Sequence, residues 1–324
     1  MKWQTSVKVN KAKSLFNYSN RFCSLGSCFA NEIGSKMKAV LLNCETNPLG
    51  ILFNPISLVQ LIEKAVEESF FSKDEFFLHQ DLWKHALIQS HLASTDLNSS
   101  LENGNRMLMK LRNSIKESDF LILTLGSAFV YERKDTGRIV GHNHKLPLQI
   151  FIKRLLSVSE IVESLHRALE GLKTFNPSLK VCFTVSPVRH LRDGLHENQL
   201  SKSSLLLAIN ELERLVTNLS YFPSYEILLD ELRDYRYYKE DLSHPSKEAV
   251  QYIWEIFLEN YFEESVAKKS LEVEKIHAGL SHNPNHTDTQ SYRRFKRTLK
   301  QSILEIQSEG VNIQPLLNKY ESLK

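Results

Sequence analysis

Four cysteines in 324 residues, none of them in a Cys-x-x-Cys pair, exclude a disulfide framework and a cysteine zinc site. Cys23, Cys44 and Cys182 sit in apolar, strand-like runs and read as buried free thiols in a reducing compartment. No run of about 18 apolar residues occurs, so no membrane-spanning helix and no membrane partner are expected. The N-terminal stretch Met-Lys-Trp-Gln-Thr-Ser-Val-Lys lacks the apolar core of a secretion signal, and a soluble, cytoplasmic protein is expected. An excess of one charge is missing too. Forty-one Lys and Arg against 38 Asp and Glu leave a net charge of +3, which gives no electrostatic case for nucleic acid as the main partner. There is no Walker A motif and no Gly-x-Gly-x-x-Gly, so phosphate and dinucleotide cradles are not expected, and no cofactor is. Internal repeats are absent.

Hydrophobic residues make up 42% of the chain, ample for the packed core of one large domain or two small ones. Five short apolar segments read as strands: residues 21–26, 38–44, 119–126, 179–186 and 225–230. Three of them are rich in Leu, Ile and Val with little alternation, which suits a parallel sheet covered on both faces. Helical spacing fills the intervals over 55–69, 104–117, 159–173, 200–219 and 246–262. Pro55 falls in a first turn, and Ser157-x-x-Glu160 fits a capping box. Alternating strands and helices predict a three-layer α/β/α domain with a mostly parallel five-stranded sheet, flavodoxin-like in its layering, over residues 1–264. Residues 265–324 are rich in Lys, Glu, Ser and Asn, carry a polar loop over 282–287, and recover amphipathic spacing at Leu299, Ile303 and Ile306. They predict a helical extension that serves packing or an oligomer contact.

In such a fold, ligands bind beyond the carboxyl ends of the strands. Polar residues cluster there. The first strand runs into Gly26-Ser27-Cys28 and then a helix, which sets a hydroxyl or thiol at a helix N-terminus, where negative charge is favoured. Asn47-Pro48-Leu49-Gly50 follows the second strand, Gly126-Ser127 the third, and Ser186-Pro187-Val188-Arg189-His190 the fourth. Asp241 and His244, three residues apart, follow the fifth. Nucleophile, acid and base in the order Ser/Cys…Asp…His make up a hydrolase or acyltransferase triad. Pro245 holds His244 in extended backbone, presenting its ring from a loop. His142 and His144 alternate as metal ligands on a strand would, with His85 or His91 in reach; the competing reading is a solvated loop touching substrate, and no metal site is assigned. Arg189 and His190 suit an anionic or sugar substrate, with a salt bridge from Arg189 to Asp193 or Glu197 as the structural alternative. Tyr235, Tyr237 and Tyr238 bring aromatics close to the Asp241 loop.

Taken together these blocks resemble the GSCFA family, whose name spells Gly26-Ser27-Cys28-Phe29-Ala30. Residues 47–55, 123–131, 184–194, 221–236 and 241–245 are similar to its further blocks, so the resemblance spans roughly 15–262. It implies a place among the SGNH, or GDSL-like, hydrolases. Their pattern is a serine nucleophile in Gly-Asp-Ser, an oxyanion hole from that serine's N–H with a Gly and an Asn on later loops, and Asp-x-x-His near the end. Two departures follow. In register, Cys28 takes the nucleophile position; by residue type, Ser27 does, and register favours Cys28 with a lowered thiol pKa. Ala128 stands where the oxyanion Asn belongs. The loss of one such donor costs roughly 3–4 kcal/mol in the transition state. Ser127, Asn47, Arg189 and His190 are the replacements at hand, and Gly50 and Gly126 fit the oxyanion and substrate loops, with the amides of residues 27–28. The implied activity is hydrolysis or transfer of an ester on an O-acylated carbohydrate or similar small molecule. The alternative is a glycan- or anion-binding module without catalysis.

Overall fold

The computed structural model describes residues 5–282, 286, 288–307 and 311–323. Its strands are β1 (Arg21–Gly26), β2 (Asn43–Thr46), β3 (Phe77–His79), β4 (Leu82–Lys84), β5 (Phe120–Leu125), β6 (Phe129–Arg133), β7 (Ile139–Val140), β8 (Phe151–Leu155), β9 (Lys180–Val185) and β10 (Leu219–Tyr221). Its α-helices are α1 (Cys28–Ala39), α2 (Pro55–Glu67), α3 (Leu97–Glu117), α4 (Val158–Phe175), α5 (Leu195–Leu215), α6 (Ser224–Glu226), α7 (Lys247–Tyr261), α8 (Glu264–Leu280), α9 (Gln290–Ile306) and α10 (Gln314–Glu321). β1, β2, β5, β9 and β10 form one parallel sheet in the order β10-β9-β5-β1-β2.

Successive residues of a strand point to opposite faces, and this sorts the core into two layers. Cys23, Leu25, Leu121, Leu123, Leu125, Phe183 and Val185 pack under Leu58, Leu61, Leu111, Leu165 and Leu205, from α2 to α5. Phe22, Phe120, Ile122 and Cys182 face the other way, against Phe29 and Met37 of α1 and Ile253, Trp254 and Phe257 of α7. Helices thus cover both faces, which is why the strands read as continuous apolar runs. The helix starts follow local chemistry. Asn54 accepts from the Ser57 amide at 2.8 Å ahead of Pro55, and Ser157 and Glu160 close the capping box of α4.

The structure departs from the sequence reading in three places. Residues 38–40 finish the last turn of α1 and its C-cap, so the second strand begins only at Asn43. Residues 225–230 are helical, and the fifth strand is the three-residue β10 instead. Pro223 precedes that segment, and Tyr225, Ile227, Leu228 and Glu231 bury one side of it, a helical spacing rather than alternation. Two antiparallel units have no counterpart in the sequence reading: the β3–β4 hairpin and the sheet β7-β6-β8. The second is inserted between β5 and α4 and stands beside the carboxyl end of the parallel sheet.

Helices α8, α9 and α10 gather Val273, Ile276, Leu299, Ile303, Ile306 and Leu316 into a small core of their own. They touch α1 through the His277 ring, whose Nε2 meets the Ala39 carbonyl at 2.9 Å. Of the polar loop expected at 282–287, Asn283, Pro284, Asn285 and Thr287 lie outside the described residues. Among the described residues, no helix is long and apolar enough to cross a membrane.

Candidate active site

The turn after β1 is dictated by Gly26. Its φ is +129°, and a Cβ there would stand 2.1 Å from the Thr124 carbonyl oxygen on the neighbouring strand, so a glycine is required. Its N–H donates to Asn47 Oδ1 at 2.9 Å, and the Ser27 N–H donates to the Thr124 carbonyl at 3.0 Å. Ser27 is then the N-cap of α1. It is 2% exposed, and its Oγ accepts from the Phe29 amide at 3.2 Å. Cys28 is the first helical residue, half-buried, with its thiol in a cleft of about 840 Å³.

Across the cleft, a loop running from Tyr237 to Ser246 presents the acid and the base. It is closed by hydrogen bonds from the Lys239 amide to the His244 carbonyl (2.8 Å) and from the Ser246 amide to the Tyr237 carbonyl (2.7 Å). Asp241 Oδ1 accepts from the amides of Ser243 and His244, each at 2.9 Å, and Oδ2 lies 2.6 Å from His244 Nδ1. The His244 amide, the Ser243 amide and the ring together hold the Asp241 carboxyl down to about 2. Asp241 is therefore an anion and can only accept, so Nδ1 carries the proton and Nε2 offers its lone pair. That Nε2 stands 3.8 Å from Cys28 Sγ.

The thiol does not have the lowered pKa expected of it. Burial pushes it above its ordinary value; its own backbone N–H, Lys202 and Lys239 pull the other way, and Glu32 adds to the rise. Cys28 rests as a thiol at neutral pH, and a base must remove its proton.

The remaining expected site residues divide into braces and cleft groups. Asn47 is a brace: Oδ1 holds Gly26 and Nδ2 donates to Asn31 Oδ1 at 2.8 Å, so its side chain is committed to the turn. The Gly50 amide donates to the Asn47 carbonyl at 2.9 Å, and its φ of +100° brings the chain against Gln89. The Gly126 and Ser127 amides both donate to the Phe53 carbonyl, at 2.7 and 3.2 Å. Ser127 Oγ accepts from the Phe129 amide and bonds Ser201 Oγ at 3.2 Å. None of these amides points its hydrogen at the cleft, and of residues 27–28 only the Cys28 amide remains.

His144 is buried rather than solvated. Its Nε2 meets the His85 carbonyl at 2.8 Å and its Nδ1 meets Ser90 Oγ at 2.9 Å, which latches the loop and leaves neither nitrogen for a metal or substrate. His142 lines the cleft; its Nε2 has no hydrogen-bond partner among the described residues, and burial holds the ring down to about 4. Arg189 forms no bridge to Asp193 or Glu197 in this structure. Its amide donates to the Ser243 carbonyl (3.0 Å), its Nη1 to the Leu242 carbonyl (3.3 Å), and its guanidinium lies 5.0 Å from the centre of the Tyr238 ring. It ties the loop after β9 to the Asp241 loop. Asp193 pairs instead with Lys153. His190 lies in the cleft, 5.5 Å ring to ring from Phe53, with its amide held by Asn198 Oδ1; burial, and then the charge of Lys202, hold its imidazole down to about 4.

Lys202, Phe53 and the wall built by Phe129 and Tyr131 of β6 escaped the sequence reading. Lys202 is the one with a legible signal: it stands three residues before Leu205 on the stripe that continues through Ile209 and Leu212, a lysine in a core position. The model of the GSCFA family matches residues 21–257 of the chain. No curated protein matches it.

Proposed function

This chain belongs to the GSCFA family, and from that premise and the geometry of its cleft we propose a thiol-dependent ester hydrolase or acyltransferase. Cys28 is its nucleophile, His244 its base and Asp241 its orienting acid. One observation carries the reading: an Asp241 carboxylate 2.6 Å from Nδ1 of a ring whose Nε2 lies 3.8 Å from a thiol at a helix N-terminus. Free active sites commonly hold such contacts longer than the reacting complex does. The parallel sheet and the Asp-x-x-His loop support a place among the SGNH hydrolases.

The chemistry follows from the proton positions. As Sγ attacks the ester carbonyl, Nε2 takes the thiol proton, and Asp241 stabilises the resulting imidazolium. The carbon–oxygen bond breaks, His244 gives the proton to the departing alkoxide, and a thioester remains on Cys28. Water or an acceptor hydroxyl then attacks, giving its proton to His244; the carbon–sulfur bond breaks, and the thiolate recovers that proton. The side chains of His244 and Asp241 are 39% and 51% exposed, so water reaches the base and hydrolysis is the default unless an acceptor fills the cleft. For the oxyanion, the Cys28 amide and the neutral His190 imidazole are the donors left after the other amides are assigned. An imidazole held at about 4 is neutral at pH 7 and donates one N–H without adding a second cation. The substrate class we propose is an O-acylated carbohydrate or similar small ester.

The committed amides of Gly50 and Gly126 favour a second reading, a binding module on the same scaffold. The two part on acylation. Protein is mixed with p-nitrophenyl acetate, quenched in acid and mapped by mass spectrometry, for wild type, Ser27→Ala, Cys28→Ala and His244→Ala. The proposal expects a hydroxylamine-labile acetyl group on Cys28 in wild type and Ser27→Ala, and none in the other two. An acetyl group on Ser27 would overturn the thiol assignment. No acetyl group on either residue, and no phosphonyl group on either from a fluorophosphonate probe, would move the reading to a binding module.

A further inference from the structure

Beneath the nucleophile turn lies a lysine with no solvent and no acid. Lys202 of α5 is 0% exposed. Its Nζ donates to the Gly126 carbonyl at 2.6 Å and to the Ser186 carbonyl at 2.7 Å, the residues that follow β5 and β9. Its third side faces the Tyr225 ring, with Nζ 5.6 Å from the ring centre. No carboxylate pairs with it among the described residues. Gly126 in turn abuts the nucleophile turn, since a Cβ built on it would stand 3.3 Å from Ser27 Cβ. An unpaired ammonium in such a place is costly, and a merely structural strut between two carbonyls would work as well with a neutral donor.

We propose that Lys202 is a positioning residue with an electrostatic role: a buried cation that braces Gly126 behind the Ser27–Cys28 turn and favours the charge sulfur acquires when it loses its proton or leaves a thioester. The coupling runs both ways. Lys202 lowers the proton affinity of Cys28, and Cys28 is the charged group that raises that of Lys202, against a burial that brings the amine down to about 7. Other groups face the pair. Glu32 of α1 opposes a thiolate and Lys239 supports one, His244 and Asp241 lie across the cleft, His190 lies on the Lys202 side, and Tyr225 covers the amine. Burial and Glu32 drive the thiol up, and the Lys202 cation opposes that rise at pH values where the amine keeps its proton.

The inference rests on Cys28 being the reactive thiol, but its test needs no turnover. Alkylation of Cys28 by iodoacetamide is followed by peptide mass spectrometry from pH 6 to 10 in wild type and Lys202→Gln, which keeps donors for both carbonyls and removes the charge. The variant is expected to be alkylated up to about tenfold more slowly at pH 6, where the wild-type amine carries its charge, with the two rates converging as the pH rises above about 8. Coincident profiles in a folded variant would overturn the proposal and leave Lys202 a strut. Should Lys202→Gln not fold, the titration of the Lys202 amine is followed by ¹⁵N NMR in wild type and Cys28→Ala. Part of the wild-type titration is expected at higher pH than in Cys28→Ala, as two coupled sites require. Identical curves would overturn the pairing. Loss of esterase turnover in Cys28→Ala reports on the proposed function alone, so the two can fail separately.

Discussion

At the scale of single residues, the site depends on which groups are still uncommitted once the backbone has been satisfied. Asp241 uses one oxygen on two amides and the other on His244, so it fixes both the loop and the tautomer. Asp241→Asn keeps an acceptor for the amides but no longer requires the proton on Nδ1. The expected outcome is a folded protein whose rate of Cys28 acetylation falls by about three to four orders of magnitude, read by stopped-flow release of p-nitrophenol. His190 is expected to act only on the developing oxyanion. His190→Phe, which keeps the contact with Phe53, should slow acetylation about 10²–10³-fold while leaving the alkylation rate of Cys28 unchanged. Equal losses in both reactions would place His190 in the activation of the thiol instead. Cys28, Asp241 and His244 are all legible as residue types in the chain. Which of Ser27 and Cys28 caps the helix is less legible: register favours Cys28 as the group in the cleft, but the directions of adjacent side chains at a strand–helix turn are fixed only by its backbone geometry.

At the scale of elements, the β1–α1 junction is the part most tightly specified by its neighbours. The Gly26 backbone conformation and the Thr124 carbonyl together forbid any side chain. Gly26→Ala is expected to cost about 3 kcal/mol or more of unfolding free energy in urea titrations, and to remove Cys28 acetylation with it. Gly171 is the opposite case. It lies inside α4 with nothing within 4 Å of where a methyl group would stand, so Gly171→Ala is expected to stabilise by about 0.5–1 kcal/mol in the same titration. The long helices are legible because their apolar spacing is repeated over several turns. The fifth strand is not: three residues of β10 carry no period, whereas the apolar run after Pro223 suits a strand and a helix alike until its neighbours are known.

At the scale of the whole molecule, pH acts through histidines buried as neutral rings. His142 and His190 are held down to about 4 by burial, so between that value and the ordinary histidine range the unfolded chain binds protons that the folded chain does not. The sign is therefore fixed: the contribution of these two rings is level above about pH 6.5 and falls as the pH drops toward 4, with uptake of about two protons on unfolding from them. Urea midpoints measured from pH 7 to 4 check this, and the double variant His142→Gln, His190→Gln is expected to flatten the curve. The chain by itself determined the layered α/β plan, the family and the residue types of the proposed triad, because these depend on periodicity and on short motifs that are local in sequence. Tertiary structure settled that Cys28, which register favours, and not Ser27 meets His244, and it alone decided that Asn47, Gly50 and Gly126 are braces and that Lys202 is buried against the carbonyls of Gly126 and Ser186. Those outcomes turn on which of several nearby partners each amide, carbonyl and charge finds after the strands have paired. No local pattern encodes that competition.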